Sequence, residues 1–181
     1  MVGAHLRDAA TGEGNARWIR DIVPFPCTCI TFAVWEQGLL VRPGDSTRIS
    51  GPADLARPDI RIINREQGSG SRMLLDEALA AAQIDPNSIA GYDTRATSHF
   101  AVAEIVASGA ADVGVGIRAA GVAWGLNVLP LREEEYELIV PNHFLDLPAV
   151  GALLDILRRP ATRAQVEALQ GYDGQRMGLP A

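Results

Sequence analysis

The stretch "IINREQGSGSRMLLDEAL", Ile62 to Leu79, decides how the chain is read. It opens on β-branched residues, passes two glycines and two serines, meets an arginine, and settles into a helical pattern with apolar residues at 74, 75, 78, 79 and 82. A strand that turns through glycine and serine into a helix start can cradle an anion. Gly68 and Gly70 let backbone amides turn inward. Ser69 and Ser71 add hydroxyls, Arg72 adds a fixed positive charge, and the first helical N–H groups carry the positive end of the helix dipole. The same string also serves as a plain glycine-rich turn with a serine cap. It is not a dinucleotide fingerprint, which needs glycine where Met73 stands, nor the G-x-S-x-G elbow of esterases.

Outward from this stretch, strand-like and helix-like segments alternate. "CTCITFAVWEQGLLVRPGD" (27–45) is rich in β-branched and aromatic residues and reads as one or two strands ending at a turn. "SGPADLARPD" (50–59) reads as a one-turn helix capped by Ser50. "SHFAVAEIVASG" (98–109) reads as a helix between an N-cap at Ser98 and a C-cap at Gly109. "ADVGVGI" (111–117) is a strand, "RAAGVAWGL" (118–126) a short helix, and "NVLPL" (127–131) and "EYELIVPNHF" (135–144) two further strands around a solvated acidic turn at Glu133 to Glu135. "PAVGALLDILRRPATRAQVEAL" (148–169) is a helical pair broken at Pro160, and "DAATGEGNARWIRDIV" (8–23) a turn followed by a short helix. The alternation implies an α/β fold with helices on both sheet faces, where ligands bind beyond the carboxyl ends of strands. The glycine-serine stretch sits at such an end. So does "RATSHFAVAE" (95–104), where Thr97, Ser98 and His99 offer two hydroxyls and an imidazole at a second helix start, or a plain N-cap.

Composition removes several classes. The chain has 181 residues, 48% of them hydrophobic, enough for one domain or two small lobes. A net charge of −6 argues against nucleic-acid binding. No apolar run reaches the roughly 18 residues of a membrane span, and no signal peptide opens the chain, so a cytoplasmic location is expected. All 16 basic residues are arginine, which excludes a Walker A lysine, a Schiff-base lysine and a Ser-x-x-Lys nucleophile. Cys27 and Cys29 share one strand face and read as small buried hydrophobes, and the scattered His5, His99 and His143 do not form a zinc motif, so no metal is expected. Catalysis has little support: His99 is the one good titratable candidate, and Asp112 reads as a turn contact.

The order "NREQGSGSRMLLDEAL", "GYDTRATSHFAVAEIVASGAADVGVGI", "LNVLPLREEEYELIVP" and "LQGYDG" resembles the molybdate-binding family of periplasmic-binding-protein-like domains, related to type II solute-binding proteins and to the effector domains of LysR-type regulators. The resemblance spans nearly the whole chain. It implies a two-lobed type II fold, with residues 48–129 as one lobe and residues 1–47 with 130–181 as the other. It also implies that Ser69, Ser71 and Arg72 form an anion loop, that Thr97, Ser98 and His99 form a second site-facing helix start, and that Tyr136 reaches the cleft. The implied function is non-catalytic binding of a small oxyanion, molybdate or tungstate, in a sensing or carrier role, with no cofactor. The alternative is an effector module for a small organic carboxylate. Family members carry a first strand, a helix and a further glycine-containing loop before the segment matching "HLRD", so the first lobe is expected to be incomplete. An uncovered sheet edge, with "CTCITFAVW" (27–35) exposed, would then favour a homodimer or larger assembly through the N-terminal segment or the C-terminal helices.

Overall fold

The computed structural model describes Val2–Ala4, Asn15, Ile19 and residues 21–181. Most of the turn and short helix expected over 8–23, and His5, lie outside the described residues; Ile19, Asp21 and Ile22 are helical. The chain divides into two compact units, residues 1–35 with 133–181, and residues 36–132. The division falls inside two long strands, β2 (Cys27–Val41) and β6 (Asn127–Pro141), each of 15 residues. The sequence alone suggests boundaries at 47/48 and 129/130.

In the 36–132 unit, the end of β2 runs antiparallel to β5 (Val113–Ile117), with Gln37 opposite Ile117 and Val41 opposite Val113. β5 is parallel to β3 (Ile62–Arg65), and β3 is parallel to β4 (Arg95–Ala96). Every residue of β3 and β5 is buried, as expected of parallel strands covered on both faces. Three helices supply that cover: α1 (Gly70–Ala81), α2 (His99–Ala107) and α3 (Arg118–Ala123). Leu74, Leu75 and Leu79 of α1 join Leu39, Val41, Ile62, Val113 and Val115 in one core. Each such side chain contributes roughly 1.5–3 kcal/mol on burial. Gly114 allows α2 to lie close on β5: a Cβ there would stand 2.5 Å from Val102 Cγ1.

All three helices end alike. In α2, Gly109 N–H donates to the Val106 carbonyl and Ala110 N–H to that of Ile105; in α3, Gly125 and Leu126 do the same to Val122 and Gly121. This is the Schellman closure, with glycine left-handed at φ 79° and 68°. In α1 the same bonds run from Gln83 to Ala80 and from Ile84 to Leu79, but the left-handed residue, at φ 58°, is Gln83.

In the other unit, β1 (Val2–Ala4) pairs antiparallel with β6, with Val2 opposite Ile139. β6 adjoins β2, and β7 (Tyr172–Asp173) pairs with Val34 and Trp35 of β2. Helices α4 (Pro148–Arg158) and α5 (Pro160–Glu167) are broken where Pro160 opens the second. Ile30, Val140, Val150, Leu157 and Met177 form the core.

Four local expectations need correction. The segment at 50–59 is a 3-10 turn, Pro52–Ala56, whose cap is Gly51; Ser50 instead donates, through N–H and hydroxyl, to Asp54. "NVLPL" and "EYELIVP" are one strand, not two, and the acidic run at Glu133 to Glu135 is no solvated turn: Glu134 is buried and accepts from Trp35 Nε1, and Glu135 accepts from Thr31 and Arg176. The segment 27–35 is not an exposed edge, because β2 has strand neighbours on both sides and its residues are buried or half-buried. Cys27 and Cys29 are free and half-buried; burial, then the Glu137 carboxylate, pushes the Cys29 thiol up to about 11. Asp112 makes the expected turn contacts, accepting from Arg42 and from the Arg61 N–H.

Candidate functional site

The carboxyl ends of the parallel strands β3 and β4 feed directly into α1 and α2, and the site is built from those two junctions. After Arg65 the chain turns at Gly68, whose φ of 88° suits glycine, and reaches Ser69, the N-cap of α1. The Ser69 hydroxyl accepts from the Arg72 N–H at 3.3 Å and donates to the Glu66 carbonyl at 2.9 Å. Ser69 therefore holds both ends of its own turn. Gly70 opens the helix and, with Ser71, presents first-turn N–H groups.

Ser71 is almost completely buried, 1% exposed. Its hydroxyl donates to Gln37 Oε1 at 2.5 Å and lies 3.5 Å from His99 Nδ1. Residues from the two helix starts thus meet. At the second start, the Ser98 hydroxyl accepts from the Ala101 N–H at 3.0 Å as an N-cap, and Thr97 and Ser98 are exposed.

Arg65, 9% exposed, links the junctions. Its guanidinium holds the Glu66 carboxylate through two hydrogen bonds, at 3.0 and 2.9 Å, and reaches the carbonyls of Ala96 and Thr97. Hydrogen bonding from Arg65 holds the Glu66 carboxyl well below the usual range, at about 2.

Arg72 stands elsewhere than the sequence reading expects. Its Nε donates to both oxygens of Asp76, its guanidinium carbon lies 3.9 Å above the Tyr92 ring, and the Tyr92 hydroxyl donates to Asp76 at 2.5 Å. In this closed set the Arg72 charge meets a carboxylate one helical turn along, on the side of α1. Tyr136 belongs to the other unit, packed edge-on to Phe32 and against Trp35, beside a groove of about 500 Å³ that Leu138, Leu153 and Leu157 also line.

Two residues escaped the sequence reading. Gln37 left one signal, a carboxamide inside the apolar run "FAVWEQGLLV" with a need for a partner. Arg65 left none, since an arginine at a strand end usually faces water. Among the described residues, no three His, Cys, Asp or Glu side chains are placed to hold a metal ion, and no helix is long and apolar enough to cross a membrane.

Comparisons with known proteins agree with this architecture. The protein YvgK of Bacillus subtilis (strain 168) is 37% identical over 179 residues, covering 98% of this chain and 58% of YvgK. This chain therefore spans less than two thirds of that relative's length. A Clostridium pasteurianum protein encoded in the 5′ region of a 2Fe-2S ferredoxin gene is 37% identical over 102 residues, covering 56% of this chain and 90% of that protein. Among solved structures, the substrate-binding domain of a candidate molybdenum ABC transporter from Clostridium difficile superposes with a TM-score of 0.58 at 20% identity, over 81% of this chain and 66% of that one. The regulatory domain of Synechocystis PCC6803 CcmR, in complex with 2-PG, superposes with a TM-score of 0.57 at 16% identity, over 74% and 66%. These structures share the fold. The family model described as the PBP superfamily domain matches residues 1–158, and the chain belongs to that superfamily of periplasmic-binding-protein-like domains.

Proposed function

We propose that this chain is a non-catalytic binding domain for a small oxyanion of the molybdate or tungstate kind, with a sensing or carrier role. The observation that carries the reading is the approach of Ser71 to His99 at 3.5 Å. It brings the N-termini of two helices, of 12 and 9 residues, to one place at the ends of parallel strands. Two positive dipole ends and their first-turn N–H groups suit a compact anion. A hydrolase is less well supported, because the Ser71 proton points to the Gln37 carbonyl and not to an imidazole base, and the hydroxyl is buried.

Titration calorimetry with molybdate, tungstate, sulfate and phosphate tests this. Heat from molybdate or tungstate is expected; a folded sample silent to all four would overturn it. A small organic carboxylate titrated alongside separates the effector-module reading, under which it binds and molybdate does not. Bound anion should also raise the melting temperature, by about 2.7 kcal/mol of stabilisation at a hundred-fold excess over Kd, while chloride at equal ionic strength should not.

A further inference from the structure

We propose that Gln37 is a positioning residue of the cradle: it takes the Ser71 proton, thereby fixes the His99 imidazole with its proton on Nδ1, and so makes the cradle take up a proton when it binds an oxyanion. The proton-uptake half rests on the oxyanion reading above; the Gln37 half does not.

The distances set the order of protons. A contact of 2.5 Å falls within the range of O–H···O hydrogen bonds and below that of N–H···O, so the carbonyl oxygen of Gln37, not its amide nitrogen, faces Ser71. A hydroxyl has one proton, and here it is directed to Gln37. What Ser71 turns toward His99 is a lone pair. Of the two neutral tautomers, only the one with its proton on Nδ1 presents a donor to that lone pair 3.5 Å away, and it carries its own lone pair on Nε2. Gln37 is held firmly enough to impose this order. It is 0% exposed and seated in the β2–β5 ladder opposite Ile117.

The charges around α2 then fix the sign of the coupling. His99 is the first residue of α2, where the positive dipole end opposes an imidazolium. Of the elements packed on α2, β5 is "VGVGI" and carries no charge. β3 contributes Arg65, paired with Glu66, and α3 contributes Arg118, paired with Glu36 at 2.5 Å. β4 contributes Arg95, which is exposed. The Glu66 carboxylate, held by Arg65, also lies within electrostatic reach of His99, so one negative charge already stands beside the imidazole and an arriving anion adds a second. A neutral His99 offers it a lone pair, whereas the imidazolium offers a positive charge, so the loaded state favours the second proton.

The ligand-free arm of the test is long-range 15N–1H NMR on the imidazoles of the full chain, at a pH well above the His99 midpoint. Wild type should show the Nδ1–H tautomer. Gln37→Met, which removes the acceptor, should return the Ser71 proton to Nδ1 and leave His99 as Nε2–H. The Nε2–H form in wild type would overturn the proposal even if Gln37→Met does not fold. The ligand arm is calorimetry with molybdate in two buffers of different ionisation enthalpy at that pH. Net proton uptake on molybdate binding is expected, and none in His99→Gln. Binding with buffer-independent heat would overturn the coupling. Silence toward molybdate, tungstate, sulfate and phosphate alike, with the Nδ1–H tautomer seen, would overturn the oxyanion reading and the coupling together while upholding the Gln37 assignment.

Discussion

Arg65 reaches the carbonyl of Thr97 with its Nη2, 3.4 Å away, so the residue ending the strand before α1 also holds the turn before α2. The spacing between the helix starts is thereby set by one guanidinium. Arg65→Lys keeps the charge and loses the fork that serves Glu66, Ala96 and Thr97 together. Molybdate affinity measured by calorimetry should fall about ten-fold, the equivalent of one charge-assisted hydrogen bond of about 1.5 kcal/mol. Unchanged affinity would show that the second helix start is held without it.

Ser71→Ala should lower both affinity and stability. The alanine leaves the buried Gln37 carbonyl without its 2.5 Å donor, at a cost of about 1–3 kcal/mol. The exposed Ser98 is different: Ser98→Ala removes a cap worth about 1 kcal/mol and leaves Gln37 paired. Chemical denaturation of both variants separates the two effects, and a Ser71→Ala protein as stable as wild type would contradict the Gln37 contact.

Gln83→Gly should stabilise the fold by about 0.5–1 kcal/mol, because the left-handed residue closing α1 would then match those closing α2 and α3, less the greater freedom of glycine in the unfolded chain. A rise of about 2 °C in melting temperature is the expected reading. A fall would mean that the Gln83 side chain contributes more than its backbone costs.

Glu137 is 6% exposed, and its Oε2 finds no hydrogen-bond partner among the described residues. Burial, and then repulsion from Glu135, raises its pKa above the ordinary carboxylate range. A raised acid favours the protonated folded state, so its stabilising effect is present below the unfolded value and lost as pH rises through the folded one. Glu137→Gln should therefore melt higher than wild type at pH 7, and the gap should close as pH falls into the carboxylate range. A gap independent of pH would point to packing instead.

The chain is expected to form a homodimer through its C-terminal helices, where Ile156 of α4 and Leu169, just beyond the end of α5, are 45% and 48% exposed. Light scattering at low micromolar concentration should give about twice the 19.3 kDa chain mass, and Ile156→Glu should return the monomer. A monomeric wild type would remove this surface from consideration.

Much of the 36–132 unit was legible because its signals are local. Alternating apolar runs, serine caps and glycine closures each act over a few residues, and α1, α2, β3 and β5 follow them. The long strands were not legible in the same way. Glu134 and Glu137 look like solvated charges in sequence, and their burial is set by partners such as Trp35 that are nearly 100 residues away. Around the candidate site, the capping serines are a local matter and could be read. Gln37 meets Ser71 only through sheet pairing, and the Arg72 charge is turned aside by Tyr92, 20 residues on.

The division inside β2 and β6 has a consequence for the order of events during synthesis. One unit is continuous in the chain, and the other is assembled from segments on either side of it. Joining those segments across about 100 residues of loose chain would cost on the order of 4 kcal/mol of closure entropy. Once residues 36–132 have folded, β2 and β6 already lie as neighbours and most of that cost has been met. The continuous unit is thus the natural nucleus as the chain leaves the ribosome, and the discontinuous one follows along β2 and β6, whose residues 36–41 and 127–132 belong to the continuous unit.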